Sequence, residues 1–312
     1  MTIVDIKPKK PSYPSITELG GRIQDLCRYV DKDDLTWGAT NPSIAVDDDG
    51  NYSIALRSSN YVITPKGAYT VINSEKGIKS NFWFSNLDKD FNIINLKKID
   101  TSRVGIKIER GLEDPKLIWD KDHWKFSAVM MESHTYPARM VVGHLDKKAT
   151  KIVSLQKFPG VDVMRPEKNW MMPSQPNPNF DFIYGPNVTV KNNIMTTKLS
   201  DCPELSLLRG NTNLHHLGNE TYIAVVHRLW QDQRSIYKLR DYAHHFALYN
   251  SQGVITHLSN GFTFYGGGVE FAAGITEHKD EFVISYGSKD VSSHLAFISK
   301  KTVLKSLRPV AY

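Results

Sequence analysis

From Asn41 onward the chain is a succession of short runs rich in Val, Ile, Thr, Phe, Tyr and Trp, each bounded by Asn, Asp, Gly or Pro. Helical periodicity nearly vanishes there, so the runs read as β-strands joined by tight turns. The clearest is Asn41-Pro42-Ser43-Ile44-Ala45-Val46, which reaches the turn Asp47-Asp48-Asp49-Gly50 and returns as Tyr52-Ser53-Ile54-Ala55-Leu56-Arg57. Residues 81–85 and 91–94 add two strands and complete a unit of four. Comparable openings follow near residues 113, 169, 211 and 270, at intervals that suit one four-stranded sheet each. Five such units predict an all-β fold, a five-bladed β-propeller over residues 37–312, in which radial repetition leaves only short protected edges. A β-sandwich is the second choice, since it needs fewer strands.

Residues 1–36 have a different character. Pro8, Pro11 and Pro14 mark an extended arm. Ser15-Ile16-Thr17-Glu18 then offers a helix cap, and Ile23, Leu26 and Val30 follow at helical spacing, which predicts one short helix. Arm and helix are expected to pack on the main body or on another subunit, a route to a homo-oligomer. A length of 312 residues lies within the range of a single all-β domain. The net charge of +6 is spread along the chain, and its densest run is Lys7-Pro8-Lys9-Lys10. That favours anions such as phosphate and gives no nucleic-acid footprint. Cys27 and Cys202 form neither a metal-ligand spacing nor a disulfide framework, so a reduced compartment is expected. Residues 1–15 contain no apolar stretch of the secretory type, and no run approaches a membrane span; the expectation is a cytoplasmic protein without membrane contact.

The chemistry is expected at the strand openings. In a propeller the first strand of each blade lines the axis, so the five openings converge. Their polar residues are Asn41, Glu113 with Asp114, Lys168 with Asn169, Asn211 with Thr212, and Glu270. Ringed by Trp170, Tyr184, Tyr61 and Tyr265, they suit a hydroxyl-rich ligand, with aromatic faces for the apolar side of a sugar and amides and acids for its hydroxyls. Within Glu113-Asp114-Pro115, proline pushes Asp114 towards an extended conformation. Successive side chains then point to opposite faces, so only one of the two carboxylates is expected in the cleft. Neither His215-His216 nor His244-His245 can chelate one ion from a strand, for the same reason, and no metal is expected.

The ordered set N-P-S-I (41–44), R-x-x-N-Y (57–61), G-x-E-D-P-K (111–116), E-K-N-W (167–170), R-G-N-T (209–212), V-V-H (225–227), Y-x-H-H-F (242–246) and V-E-F-A-A-G (269–274) resembles glycoside hydrolase family 130 and its relatives. The resemblance implies a five-bladed propeller acting on β-mannosides or related glycosides, by inverting phosphorolysis or glycosyl transfer, with hydrolysis or non-catalytic glycan binding as alternatives. It implies Asp114 as the single general acid. Asn41, Arg57, Asn60, Glu113, Asn169, Tyr184, Asn211 and Glu270 would bind sugar, while Lys168, His227 and Arg209, with Arg165 nearby, would hold phosphate or acceptor. No cofactor is implied beyond inorganic phosphate or a sugar phosphate as co-substrate. Two departures stand out. Lys116 takes a place where relatives often carry arginine, losing a bidentate fork, and no arginine-rich signature follows Lys168-Asn169. Water activated by Glu270 is the hydrolytic variant. Asn41 stands where other five-bladed glycosidases place an aspartate, which argues against their two-carboxylate mechanism.

Overall fold

The computed structural model describes residues 12–30, 37–64, 68–72, 77–102, 104–106, 108–131, 138–158, 168–186, 188–197, 203–231 and 240–311. Arg165, Glu167, Cys202 and the arm before Ser12 lie outside these residues. Correspondingly, Pro8, Pro11 and the basic run Lys7–Lys10 are not described.

Five antiparallel sheets form the blades of a β-propeller. Blade one runs from the axis outwards through Gly38–Val46, Tyr52–Ser59, Ser80–Leu87 and Ile93–Lys98. Blade two is Leu112–Asp120, His123–Met130, Arg139–Leu145 and Ile152–Lys157. The third is the slightest: Phe182–Ile183, Val188–Lys191 and Ile194–Thr197, with its axial segment joined to it by the Met171–Ile183 bridge and to blade four by the Pro173–Leu214 bridge. In blade four the axial strand is split into Leu208–Gly210 and His215–Gly218, both paired with Thr221–Gln231, and Arg240–Tyr249 and Ile255–Leu258 follow. Glu270–His278, Glu281–Ser288 and Ser292–Ser299 begin blade five.

The core explains why so many strands read as continuous apolar runs. Each blade is sandwiched between two neighbours, so both faces of a strand are buried and alternate residues serve different interfaces. Ile44 and Ile54 enter the cluster between blades five and one, whereas their neighbours Ala45 and Ala55 enter the cluster between one and two. Leu117 packs towards blade one and Ile118 towards blade three. Phe282 packs towards blade four and Val283 towards blade one. Five apolar clusters thus fill five interfaces and close the ring. Burying each such side chain is worth about 1.5–3 kcal/mol. Near the axis, polar side chains stitch the inner strands: Ser43 Oγ donates to the Ala273 carbonyl at 3.1 Å and accepts from Leu117 N at 2.9 Å, and Asn213 Nδ2 donates to the Leu117 carbonyl at 2.7 Å.

The expected N-terminal helix is absent from residues 12–30. Its capping box does form, Ser15 N donating to Glu18 Oε2 at 2.6 Å and Glu18 N to Ser15 Oγ at 3.3 Å. The turn ends at Gly20, whose φ of +86° stops propagation. Arg22–Cys27 then becomes the outer strand of blade five, pairing antiparallel with Ser292–Ser299. Free strand-edge donors and acceptors on blade five outweigh helical spacing in so short a segment. Ile23 packs between blades four and five and Leu26 between five and one, as opposite faces of a strand require. At the other end, Arg308–Pro309 adds to the edge of blade four after the short helix Lys300–Ser306. Among the described residues no helix is long and apolar enough to cross a membrane.

Candidate active site

Two axial strands break register at equivalent places. In blade one Thr40 pairs with Arg57 and Ser43 with Ala55, so Asn41-Pro42 stands opposite a single residue. In blade two Glu113 pairs with Val129 and Lys116 with Ser127, so Asp114-Pro115 does the same. Both are β-bulges: proline has no N–H to lose from the ladder, and the residue before it turns left-handed, at φ +47° for Asn41 and +50° for Asp114. Asn169, at the axial segment of blade three, has φ +63°. Asn and Asp tolerate this region better than other side chains, and their recurrence at three axial openings marks where the backbone is bent for a purpose.

The bulge corrects the expectation of a single carboxylate in the cleft. Asp114 is left-handed, not extended, so strand alternation fails there and both Glu113 and Asp114 face one cavity of about 300 Å³. That cavity is also lined by Asn41, Arg57, Tyr61, Tyr69, Lys168, Asn169, Arg240, Tyr242, Phe271 and Asp290. Asp114 Oδ1 accepts from Asn41 Nδ2 at 2.7 Å and from an Arg57 guanidinium nitrogen at 3.2 Å. Arg57 also donates to Glu113 Oε1 at 2.8 Å, to the Tyr61 hydroxyl at 3.0 Å and to Ser80 Oγ at 3.0 Å. Lys168 Nζ approaches Glu113 Oε2 at 3.2 Å, and the Tyr61 hydroxyl donates to Asp290 Oδ2 at 2.9 Å. Arg57 is fully enclosed, while Glu113 and Asp114 keep 12% and 14% side-chain exposure at the cavity wall.

These contacts set the proton inventory. Burial by itself would raise the Asp114 carboxyl, but the Arg57 guanidinium, the Asn41 amide and the two nearby lysines outweigh it and hold the group below its ordinary 3.8. Asp114 is therefore a carboxylate at neutral pH in the free protein. Burial opposes the charge of Arg57, and Glu113, Tyr61 and Asp114 more than compensate, so Arg57 stays a cation. Burial raises Asp290, with Arg57 pulling the other way. Beneath the cavity, Lys116 is 1% exposed and its ammonium lies 5.9 Å from the Phe271 ring centroid. Burial lowers it to about 8, against the attraction of Asp114.

The other expected site residues separate into two groups. Asn41, Arg57, Glu113, Asp114, Lys168 and Asn169 share the cavity wall. The rest do not line it. Asn60 is buried and organises a loop, donating to the Ile72 and Gly77 carbonyls and accepting from Lys79 N. Glu270 is spent on the segment before its strand: Oε2 accepts from Phe264 N and Oε1 from Tyr265 N, each at 2.8 Å. A carboxylate so engaged is a loop anchor and has no oxygen directed at the cavity to activate water. Tyr184 packs on the buried Trp170, Arg209 donates to the Ser206 and Leu208 carbonyls, and Tyr265 is 83% exposed. His227 lies behind the wall, its ring 4.9 Å from that of Tyr242; burial, then Arg209 and Lys116, push it down to about 3. It is neutral and brings no positive charge to an anion. Asn211 is fully buried near the axis, and neither polar atom of its side-chain amide has a hydrogen-bond partner among the described residues. Arg240 is a cavity residue that sequence reasoning missed, and Asp290 belongs to the stretch 286–290, which the sequence leaves open between a plain turn and a substrate-facing loop. Arg240 opens a strand after a long interval with no pattern, and Asp290 sits in a turn whose bland composition fits any hairpin. The described part of the arm packs on its own chain, with Ser15 bridging to Thr263.

No protein-family model and no curated protein sequence matches the chain. Solved structures do. A β-1,2-mannobiose phosphorylase from Listeria innocua, in complex with β-1,2-mannobiose, superposes with a TM-score of 0.55 at 12% identity, over 97% of this chain and 95% of that one. A structure from the GH130 family of mannoside phosphorylases, described as containing glycoside hydrolases that target β-1,2 mannosidic linkages in Candida mannan, gives 0.62 at 11% identity over 98% of both chains. A mannose phosphorylase from Leishmania mexicana, in complex with a phosphate ion, gives 0.54 at 12% identity, over 94% of this chain and 93% of that one. At these identities the likeness establishes the fold and its end-to-end extent.

Proposed function

We propose that the protein is a carbohydrate-active enzyme that moves a glycosyl group of the β-mannoside class between an acceptor hydroxyl and phosphate, with Asp114 moving the proton. One observation carries this reading. Asn41, Arg57, Glu113, Asp114 and Lys168, from three blades, meet in one hydrogen-bonded constellation at the wall of an axial cavity. The order of sequence motifs and the mannoside-active enzymes among the structural neighbours support the same reading.

The Asp114 carboxylate of the free protein is the form that accepts a proton, the role the synthetic direction requires. An acceptor hydroxyl gives its proton to the Asp114 carboxylate, directly or through a sugar hydroxyl, as its oxygen attacks the anomeric carbon. The bond to the phosphate oxygen breaks on the opposite face, and configuration inverts. In the reverse direction a protonated Asp114 returns the proton to the glycosidic oxygen. Arg57, itself anchored by Glu113, holds the aspartate in place, and Asn41 Nδ2 donates to its Oδ1. Lys168, Arg110 and Arg240, at the cavity rim, supply positive charge for the departing phosphate. Hydrolysis through Glu270 loses support, because both its oxygens accept backbone N–H groups.

The test is incubation with mannose 1-phosphate and a panel of sugar acceptors, following released phosphate and new oligosaccharide. Asp114→Asn is expected to lower turnover by about 10²–10⁴-fold, the usual worth of a proton-transfer group. Turnover retained by Asp114→Asn removes Asp114 from the role. Free mannose without phosphate dependence makes the enzyme a hydrolase.

A further inference from the structure

Blade two carries a second cluster of chemically active side chains at the far end of the strand that bears Asp114. Asp120 lies six residues along that strand, about 20 Å away at roughly 3.3 Å per residue. Pairing places Asp120 directly opposite His123, and His144 opposite Lys125. Residues opposite one another share a face, and His123, two residues from Lys125, shares it too. Asp120, His123 and His144 therefore project together from three neighbouring strand positions. Their donor atoms all lie within 4.8 Å of one another, the one such cluster among the described residues.

We propose that Asp120, His123 and His144 form a binding site for a borderline divalent cation of the zinc class, independent of the catalytic cavity. Two imidazoles and one carboxylate are a donor set that suits zinc, leaving a fourth position for water. Each ring nitrogen Nδ1 is already occupied. That of His123 bonds Asp122 Oδ1 at 2.8 Å, and that of His144 bonds Ser154 Oγ at 2.7 Å. An ionised Asp122 only accepts, so Nδ1 of His123 carries the proton and Nε2 keeps its lone pair. This outer partner fixes tautomer and ring orientation as it does behind metal-bound histidines. Tetrahedral ligands at 2.0–2.1 Å stand about 3.3 Å apart, so the three atoms close in by at most about 1.5 Å, within the reach of side-chain rotation. Access exists: Asp120 and His144 line a cavity of about 530 Å³ between blades two and three. Lys125 Nζ, 3.5 Å from Asp120 Oδ2, occupies the same face and competes with the cation for that carboxylate. The ion would clip three strands of one blade together.

The experiment uses the full chain, stripped with EDTA and dialysed, then titrated with zinc chloride by calorimetry and with cobalt chloride by visible absorption. One equivalent of zinc is expected, with the cobalt bands of a four-coordinate site and a melting temperature that rises with zinc. The double variant His123→Ala/His144→Ala should lose that equivalent, or bind it at least ~10-fold more weakly, since losing even an outer partner of a ligand costs about that much. Lys125→Met should tighten it, and Asp114→Asn should leave it unchanged. Wild-type protein that takes up no zinc tighter than roughly 0.1 mM, weaker than protein zinc sites bind, overturns the proposal. So does unchanged binding in the double variant, since the other histidines would then be the ligands. Should that variant fail to fold, Asp120→Asn decides by the same two measurements.

Discussion

Lys116 is a full-length cation with 1% of its surface exposed, beneath a cavity where the family resemblance leads one to expect arginine. Its ammonium falls from the ordinary 10.5 to about 8 because burial penalises the charge more than Asp114 rewards it. Each pH unit of such a difference corresponds to about 1.36 kcal/mol, so keeping this cation in the folded state costs about 3 kcal/mol at neutral pH. Lys116→Met keeps the unbranched shape and removes the charge, and is expected to stabilise the fold by up to that amount. With an unfolding entropy of about 2.1 cal/mol/K per residue, the rise in melting temperature is roughly 5 °C. The sign of the pH dependence follows from linkage. Between about 8 and 10.5 the unfolded chain binds the Lys116 proton and the folded chain does not, so wild-type stability gains as pH rises through that window. Differential scanning fluorimetry of both proteins from pH 7 to 10.5 reads this directly: the gap between variant and wild type should be widest at pH 7 and close by pH 10.5. A variant that melts lower than wild type at pH 7, or a gap independent of pH, refutes the reasoning. Removing this cation also releases Asp114 upwards, so the acid limb of the synthetic rate profile should move to higher pH.

Other outcomes follow from the same contacts. Arg57→Met removes the cation that Glu113 and Asp114 share and should lower stability by up to about 3–5 kcal/mol, measured by urea unfolding, as well as abolishing turnover. Gly287→Ala drives a Cβ into Asn41 Oδ1 and Asn41 N, so it should displace the amide that holds Asp114. A loss of about 1–3 kcal/mol and an at least ~10-fold fall in kcat are expected, the latter read in the phosphate-release assay. Glu277, held at about 2 chiefly by His215 and then, against burial, by Lys300, contributes stability that is present above 4.5 and fades as pH falls through about 2. Glu277→Gln should therefore melt below wild type at pH 6, with the difference gone near pH 2.

Strand content was legible because propeller blades bury both faces of most strands, and runs such as Ile44-Ala45 and Leu117-Ile118 announce that by composition. The Asp47 turn was legible too, since its carboxylate holds the Asp49 and Asn51 amides. What composition could not show was backbone bending. The rule that proline extends its predecessor is local and statistical, whereas the bulge at Asp114-Pro115 is set by cross-strand register with Val129 and Ser127. That single bend reversed the inference about Glu113. Glu270 misled for a related reason: it opens an axial strand as expected, but the preceding Gly-rich segment folds back and offers it amide protons at closer range. Residues 15–30 carried a genuine capping box and apolar spacing suited to a helix. Their fate was decided by a strand edge more than 260 residues later, which no window of sequence contains.

That distant partnership has a consequence for how the protein comes into being. Arg22 pairs with Phe297, about 275 positions further along. At 5–20 residues per second a ribosome needs roughly 15–55 s to deliver the partner. Throughout that interval Arg22–Cys27 is an orphan β-segment with apolar residues on both sides, free to pair with nascent chains beside it. The ring of blades cannot be sealed until Phe297 has been synthesised, so biogenesis of this protein depends on whatever shields Arg22–Cys27 until then.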